Sequence, residues 1–97
     1  MYKIVFANGV IEDDLKKLSK LETRIIFKLI KKKLLFNPEI FGKPLTGSLK
    51  GFYRLRAGIF RVIYKIEKKK IVVLIVKIGL RKDLKVYLEA AKRLGLF

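Results

Sequence analysis

Arginine is unevenly placed in this chain. Five of its six arginines, Arg54, Arg56, Arg61, Arg81 and Arg93, fall in the second half, although lysine outnumbers arginine three to one. If Ala57 and Gly58 centre a two- or four-residue hairpin loop, opposed residues sum to 115, so Arg54 faces Arg61 and Arg56 shares their face. A three-residue loop would send Arg61 to the other face. Three converging guanidiniums suit one kind of chemistry, the holding of an anion such as phosphate through paired N–H donors. Like charges opposed across strands destabilise a sheet, and a bound anion offsets that cost. The chain has no histidine and no cysteine, so thiolate nucleophiles, Cys-based zinc sites and the commonest general base are excluded. Tyr87 lies in a helical apolar stripe and, taken alone, reads as an amphipathic residue at the core edge. The runs Lys31-Lys32-Lys33 and Lys68-Lys69-Lys70 read as solvated faces or turns that add long-range attraction.

With 97 residues and 52% apolar side chains, the chain suits a single domain, residues 1–97, with one core. Twenty-four basic side chains against eight acidic ones leave a net charge of +16, which points to a polyanionic partner: nucleic acid, an acidic protein or an anionic membrane. Residues 1–50 carry 11 basic and 5 acidic groups and residues 51–97 carry 13 and 3, so the excess follows the arginines. The opening residues look like a strand rather than a secretory signal. The longest uncharged apolar run, residues 71–76, is far shorter than the roughly 20 residues a membrane span needs. The expectation is a soluble cytoplasmic protein without membrane association.

The elements that must position the arginines follow from periodicity. Residues 2–6 are β-prone and end at Asn8-Gly9. A first helix is expected over 10–19, with Ile11, Leu15 and Leu18 on one face and Glu12, Asp13 and Asp14 in a first turn that favours negative charge. A longer helix is expected over 22–36 on the stripe Ile26, Ile30 and Leu34, stopped by Asn37-Pro38. The two helices are expected to form a hairpin. After a Gly- and Pro-rich loop at 39–51, three β-branched and aromatic runs at 52–56, 60–66 and 71–78 read as an antiparallel meander. The last, apolar at both parities, belongs in the middle of the sheet. A final helix over 82–94 presents Leu84, Tyr87, Leu88, Ala91 and Leu94. The fold class is α+β, in the order βααβββα.

The segment 49–66, LKGFYRLRAGIFRVIYKI, followed by 78–87, IGLRKDLKVY, strongly resembles the RelE/ParE superfamily of bacterial and archaeal toxins, most closely its RelE branch. The element order and length suit that family along nearly the whole chain, and the pairing of Tyr-Arg-Leu-Arg with Phe-Arg-Val-Ile-Tyr is the most specific part. RelE-like toxins cleave messenger RNA in the ribosomal A site and are held inactive by a cognate antitoxin. By position, the resemblance places the family's strand-borne basic pair on Arg54 and Arg56, the basic residue of the next strand on Arg61, the arginine after the sheet on Arg81 and the helix tyrosine on Tyr87. RelE toxins can use lysines where this chain has Arg54 and Arg56, and many relatives have a histidine where Leu80 stands.

What the resemblance implies is a type II toxin that cuts messenger RNA on the ribosome by attack of the RNA 2′-hydroxyl on its own adjacent phosphate. No metal or cofactor is required. Arg54, Arg56 and Arg61 would bind the phosphate and stabilise the charge that builds on it. Arg56, which cannot readily deprotonate, suits holding phosphate oxygens better than acting as a base. Tyr87 is the candidate base, because surrounding cations favour a phenolate. Arg81 would neutralise the leaving 5′-oxygen. The partners implied are an acidic, RelB-like antitoxin, the ribosome and messenger RNA. Two other readings stay open: a ParE-like toxin, which poisons DNA gyrase and is not a nuclease, and a non-catalytic RNA- or ribosome-binding module.

Overall fold

The structure, a computed structural model, describes residues 1–80 and 84–96. Its elements are β1 (Lys3–Phe6), a π-helical turn (Val10–Asp14) running into a 3-10 turn (Leu15–Lys17), α1 (Lys20–Leu34), α2 (Pro38–Phe41), β2 (Lys43–Pro44), a 3-10 turn (Gly47–Leu49), β3 (Phe52–Ala57), β4 (Phe60–Glu67), β5 (Val72–Leu80) and α3 (Lys85–Arg93). The five strands form one sheet in the order β1-β5-β4-β3-β2. β1 runs parallel to β5 and the other pairings are antiparallel. The α+β class and the β3–β5 meander agree with the sequence reading, and β5 lies between β1 and β4 as its apolar run requires.

Each face of the sheet carries its own core. On one face Val62, Tyr64, Val73, Ile75 and Ile78 pack with Val10 and the α1 stripe Ile26, Ile30 and Leu34. On the other, Ile63 and Val76 pack with Leu49 and with Val86, Ala90 and Ala91 of α3. α1 begins where the chain offers a reciprocal cap: Ser19 Oγ accepts the Glu22 N–H at 3.0 Å, and Glu22 accepts the Ser19 N–H at 2.9 Å. It ends before Pro38, which opens α2 as its first residue, where a missing N–H costs nothing. Gly42, between α2 and β2, is required by close approach. A Cβ there would overlap the hydroxyl of Tyr64, which is fully buried and donates to the Pro38 carbonyl. That contact holds α2 and β2 against the outer edge of β3.

Two expected helices differ from the reading of the sequence. Residues 10–17 are helical as expected, but as a π-helical turn running into a 3-10 turn rather than a regular α-helix. Gly9, at φ 92°, starts a widened turn in which the Asp14 N–H reaches the Gly9 carbonyl. The inward residues are Val10 and Asp14, while Ile11 is 55% exposed. The cause is the pull on the Asp14 carboxylate. Its Oδ2 accepts the Ile78 N–H at 2.9 Å and Arg93 Nη1 at 2.8 Å, and its Oδ1 accepts Lys77 Nζ at 2.9 Å and Arg93 Nη2 at 3.0 Å.

α3 differs in its inward face. Val86, Ala90 and Ala91 are buried against the sheet, Tyr87 and Leu94 pack beside them as expected, and Leu84 and Leu88 are exposed. Gly79 explains this: a Cβ on it would meet the Val86 side chain, so glycine and two alanines let the helix lie close to β5. Opposite α3, a bulge shifts the β4–β5 register between Ile63 and Tyr64, so that Ile63 pairs with Lys77 and Tyr64 with Ile75. The extra residue places Val76 and Lys77 on the same side of the sheet, toward α3.

Candidate functional site

The hairpin β3–β4 sets the arginine face, and its register differs from the expected one. Ala57 pairs with Phe60, so the loop is Gly58-Ile59, and Arg56 rather than Arg54 stands opposite Arg61. Arg54 stands opposite Ile63. The reason is Gly58, at φ 63°, which takes the first central position of a two-residue turn, where glycine is favoured. Moving the loop by one residue changes the sum of opposed positions by two. Parity is therefore kept, and Arg54, Arg56 and Arg61 share one face as expected.

α3 lies across that face and delivers Tyr87. The Arg54 guanidinium donates to the Tyr87 hydroxyl oxygen at 3.2 Å. The Arg61 guanidinium lies over the Tyr87 ring, 5.1 Å from its centroid, a cation–π contact that fixes both groups. Two strands and a helix thus bring two cations onto one phenol, one at its oxygen and one at its face. Arg56 is exposed beside them. Arg81 lies outside the described residues, and so does Lys82 at the start of the expected final helix.

The cluster is electrostatically unbalanced. Among the described residues, none of Arg54, Arg56 and Arg61 forms an ion pair. Among the described residues, the carboxylates near α3 are engaged elsewhere: Asp14 with Lys77 and Arg93, and Glu89 with Lys77 at 3.4 Å. Arg61 Nε is buried with no hydrogen-bond partner among the described residues. The exposed Arg56 and the half-buried Arg54 and Arg61 still offer accessible guanidinium donors, a set suited to an anion with several oxygens. The arrangement can hold a phosphate, stabilise charge that grows on it, and set a phenol oxygen beside it. Among the described residues no acidic cluster has the make-up of a metal site, and no helix is long and apolar enough to cross a membrane.

Sequence reasoning did not find the Asp14 network, which fixes the element that carries Tyr87. Arg93, in the last turn of α3, donates to Asp14 and to the Val76 carbonyl at 3.1 Å. Burial opposes the charge on Asp14, but the hydrogen bonds from Arg93, the Ile78 N–H and Lys77 outweigh it and hold the carboxyl below the usual carboxylate range. A single acid within Glu12-Asp13-Asp14 carries no local sign of this role, because its partners lie 63 and 79 residues away.

Comparison with known proteins places the chain in a family. Residues 9–84 match the family of the ParE toxin of the type II toxin–antitoxin system parDE. Comparison with curated protein sequences yields no match. Among solved structures, the chain is similar to the toxin–antitoxin complex RelBE2 of Mycobacterium tuberculosis, at 29% identity and a TM-score of 0.66 over 82% of this chain and 98% of the other. The archaeal RelE–RelB complex of Pyrococcus horikoshii matches at 30% identity and 0.63, over 82% and 94%. The isolated Escherichia coli RelE toxin matches at 26% identity and 0.69, over 97% and 99%. With a family match across most of the chain and the same fold in RelE structures, this protein belongs to the RelE/ParE superfamily of toxins of type II toxin–antitoxin systems.

Proposed function

We propose that this toxin is a ribosome-dependent endoribonuclease that cuts messenger RNA in the A site. The observation that carries the reading is the junction of Arg54, Arg61 and Tyr87, two guanidiniums on one phenol that no carboxylate among the described residues pairs with. In the proposed reaction the RNA 2′-oxygen attacks its adjacent phosphorus, Tyr87 takes the 2′-hydroxyl proton as it passes its own to water, and the bond to the 5′-oxygen breaks as that oxygen takes a proton from water. The products are a 2′,3′-cyclic phosphate and a 5′-hydroxyl. Arg54, Arg56 and Arg61 hold the phosphate and stabilise its growing charge, and Arg81 neutralises the leaving oxygen. No group of this set is a strong acid, so the ribosome supplies much of the rate by orienting the RNA for in-line attack. The partner that silences the protein is an acidic antitoxin of RelB type, as in the RelB complexes of the similar toxins. Leu84 and Leu88, exposed one turn apart on α3, offer it an apolar strip beside the basic face.

The match to a ParE family favours a second reading, poisoning of DNA gyrase. One experiment separates them. Purified protein is added to ribosomes stalled with messenger RNA in the A site and to the same RNA alone, and cut ends are mapped by primer extension. Cuts confined to the ribosome arm are expected. No cuts from folded protein, together with inhibited supercoiling by gyrase, would establish the second reading instead. A separate consequence concerns salt. With a net charge of +16, ribosome binding is expected to weaken steeply through counterion release, by about 10³-fold or more between 50 and 200 mM salt for a protein making about six phosphate contacts. Filter binding across a salt series checks this.

A further inference from the structure

β2 pairs with β3 only at Lys43–Arg54 and Pro44–Tyr53, so among the described residues the outer edge of β3 beyond Arg54 has no strand beside it. α2 and the last turn of α1 supply the far wall there. The result is a groove of about 290 Å³ lined by Lys33, Phe41, Lys43, Arg54, Leu55 and Arg56. Four of those six side chains are cations and none is acidic. Phe41 is 47% exposed, and Lys33 Nζ lies 5.8 Å from its ring centroid. The nearby acid of α2, Glu39, is turned to Lys68 at 3.1 Å.

A half-exposed ring set among cations is poorly explained by stability, since burying it would be favourable and α2 does not do so. It has the make-up of a stacking platform for a base, with cations to hold the backbone on either side. Its volume is at the low end for small-ligand sites, about 300 Å³. Arg54 and Arg56 belong to both places: they line this groove and the phosphate site, and Arg54 also touches Tyr87. The groove therefore continues the site around the sheet edge.

We infer that this groove seats a second nucleotide of single-stranded RNA, next to the one held at Arg61 and Tyr87, with its base stacked on Phe41 and its phosphate between Lys43 and Arg56. The inference rests on the reading that the site takes RNA. Stacking reads the π-face common to all bases, so the subsite anchors the strand without strong sequence preference.

The test uses the full chain and a short, labelled, single-stranded RNA made non-cleavable by 2′-O-methylation, with binding followed by fluorescence anisotropy at low salt. One abasic position in turn is moved along the strand. For the unaltered protein one position is expected to lower affinity roughly 5- to 100-fold, the value of one base–aromatic stack. Phe41→Ala is expected to lose the same factor with intact RNA and nothing more with the abasic strand, and Phe41→Trp to restore both. Thermal melting confirms folding, which an exposed ring does not govern. Phe41→Ala binding intact RNA as the unaltered protein does, or keeping the full abasic penalty, would overturn the inference. So would Phe41→Ala weakening only an acidic antitoxin peptide. Cleavage on the ribosome is scored apart: cuts with no Phe41 coupling remove the subsite alone, and coupling without cuts removes the nuclease reading alone.

Discussion

Asp14→Ala is expected to lower stability by about 3–5 kcal/mol, the usual loss when one partner of a buried ion pair is removed. The side chain of Asp14 is fully buried and that of Lys77 is 5% exposed. Without the carboxylate, Lys77 keeps only the longer contact to Glu89, and the Ile78 N–H and Arg93 lose their acceptor. Urea unfolding should show a lower midpoint at unchanged slope, and the melting temperature should fall by roughly 12 °C or more for a chain of this size. Removing both charges, with Asp14→Leu and Lys77→Met together, is expected to recover only the share due to an unpaired Lys77, because the Ile78 N–H and Arg93 still lack their acceptor. The network also sets an acid limit. Since folding lowers the Asp14 pKa, its contribution is complete above the unfolded value of about 3.9 and is lost as pH falls from there through the folded value. A loss under about 1 kcal/mol in Asp14→Ala would show that Lys77 and Arg93 reach water, as exposed pairs do.

The same network marks where the sequence stops being legible. Strands β3, β4 and β5 follow from local runs of β-branched and aromatic residues, and α1 from its stripe. These are short-range preferences that the tertiary structure keeps. The turn over 10–17 obeys instead the charges on Lys77 and Arg93, which no local pattern reveals. On α3 the expected face holds for Tyr87, Ala91 and Leu94 and fails for Leu84 and Leu88, for a related reason. Hydrophobicity directs those two leucines inward, yet it is Val86 that meets the sheet at Gly79. The arginine face was legible because parity survives a shift of the hairpin loop. The exact opposition of Arg56 with Arg61 was not, since it depends on which two residues turn. Phe41 and Lys43 gave no motif at all; the contact of Gly42 with Tyr64 brings them to Arg54.

Tyr87→Phe is expected to abolish most A-site cleavage, by roughly 10²- to 10⁴-fold, the usual contribution of a general base, while leaving the ribosome bound. The argument turns on what the hydroxyl does. Its oxygen accepts from Arg54, so its own proton points elsewhere. Phenylalanine keeps the ring under Arg61 and hence the packing of α3, and it removes one hydrogen bond. Binding should therefore change by less than about tenfold, the effect of about 1 kcal/mol on an equilibrium. Arg61→Ala separates charge stabilisation from proton transfer. It removes the cation over the ring and should lower the single-turnover rate by about 10²- to 10³-fold at saturating toxin, as the loss of one preorganised donor does. Arg81→Ala is expected to fall in the same class, with the loss confined to the chemical step. The check is a single-turnover time course on stalled ribosomes beside an affinity measurement for each variant. If Tyr87→Phe cuts at the unaltered rate while Arg61→Ala does not, the phenol is a positioning group for the arginines, and the proton leaves the 2′-hydroxyl by way of the ribosome or water.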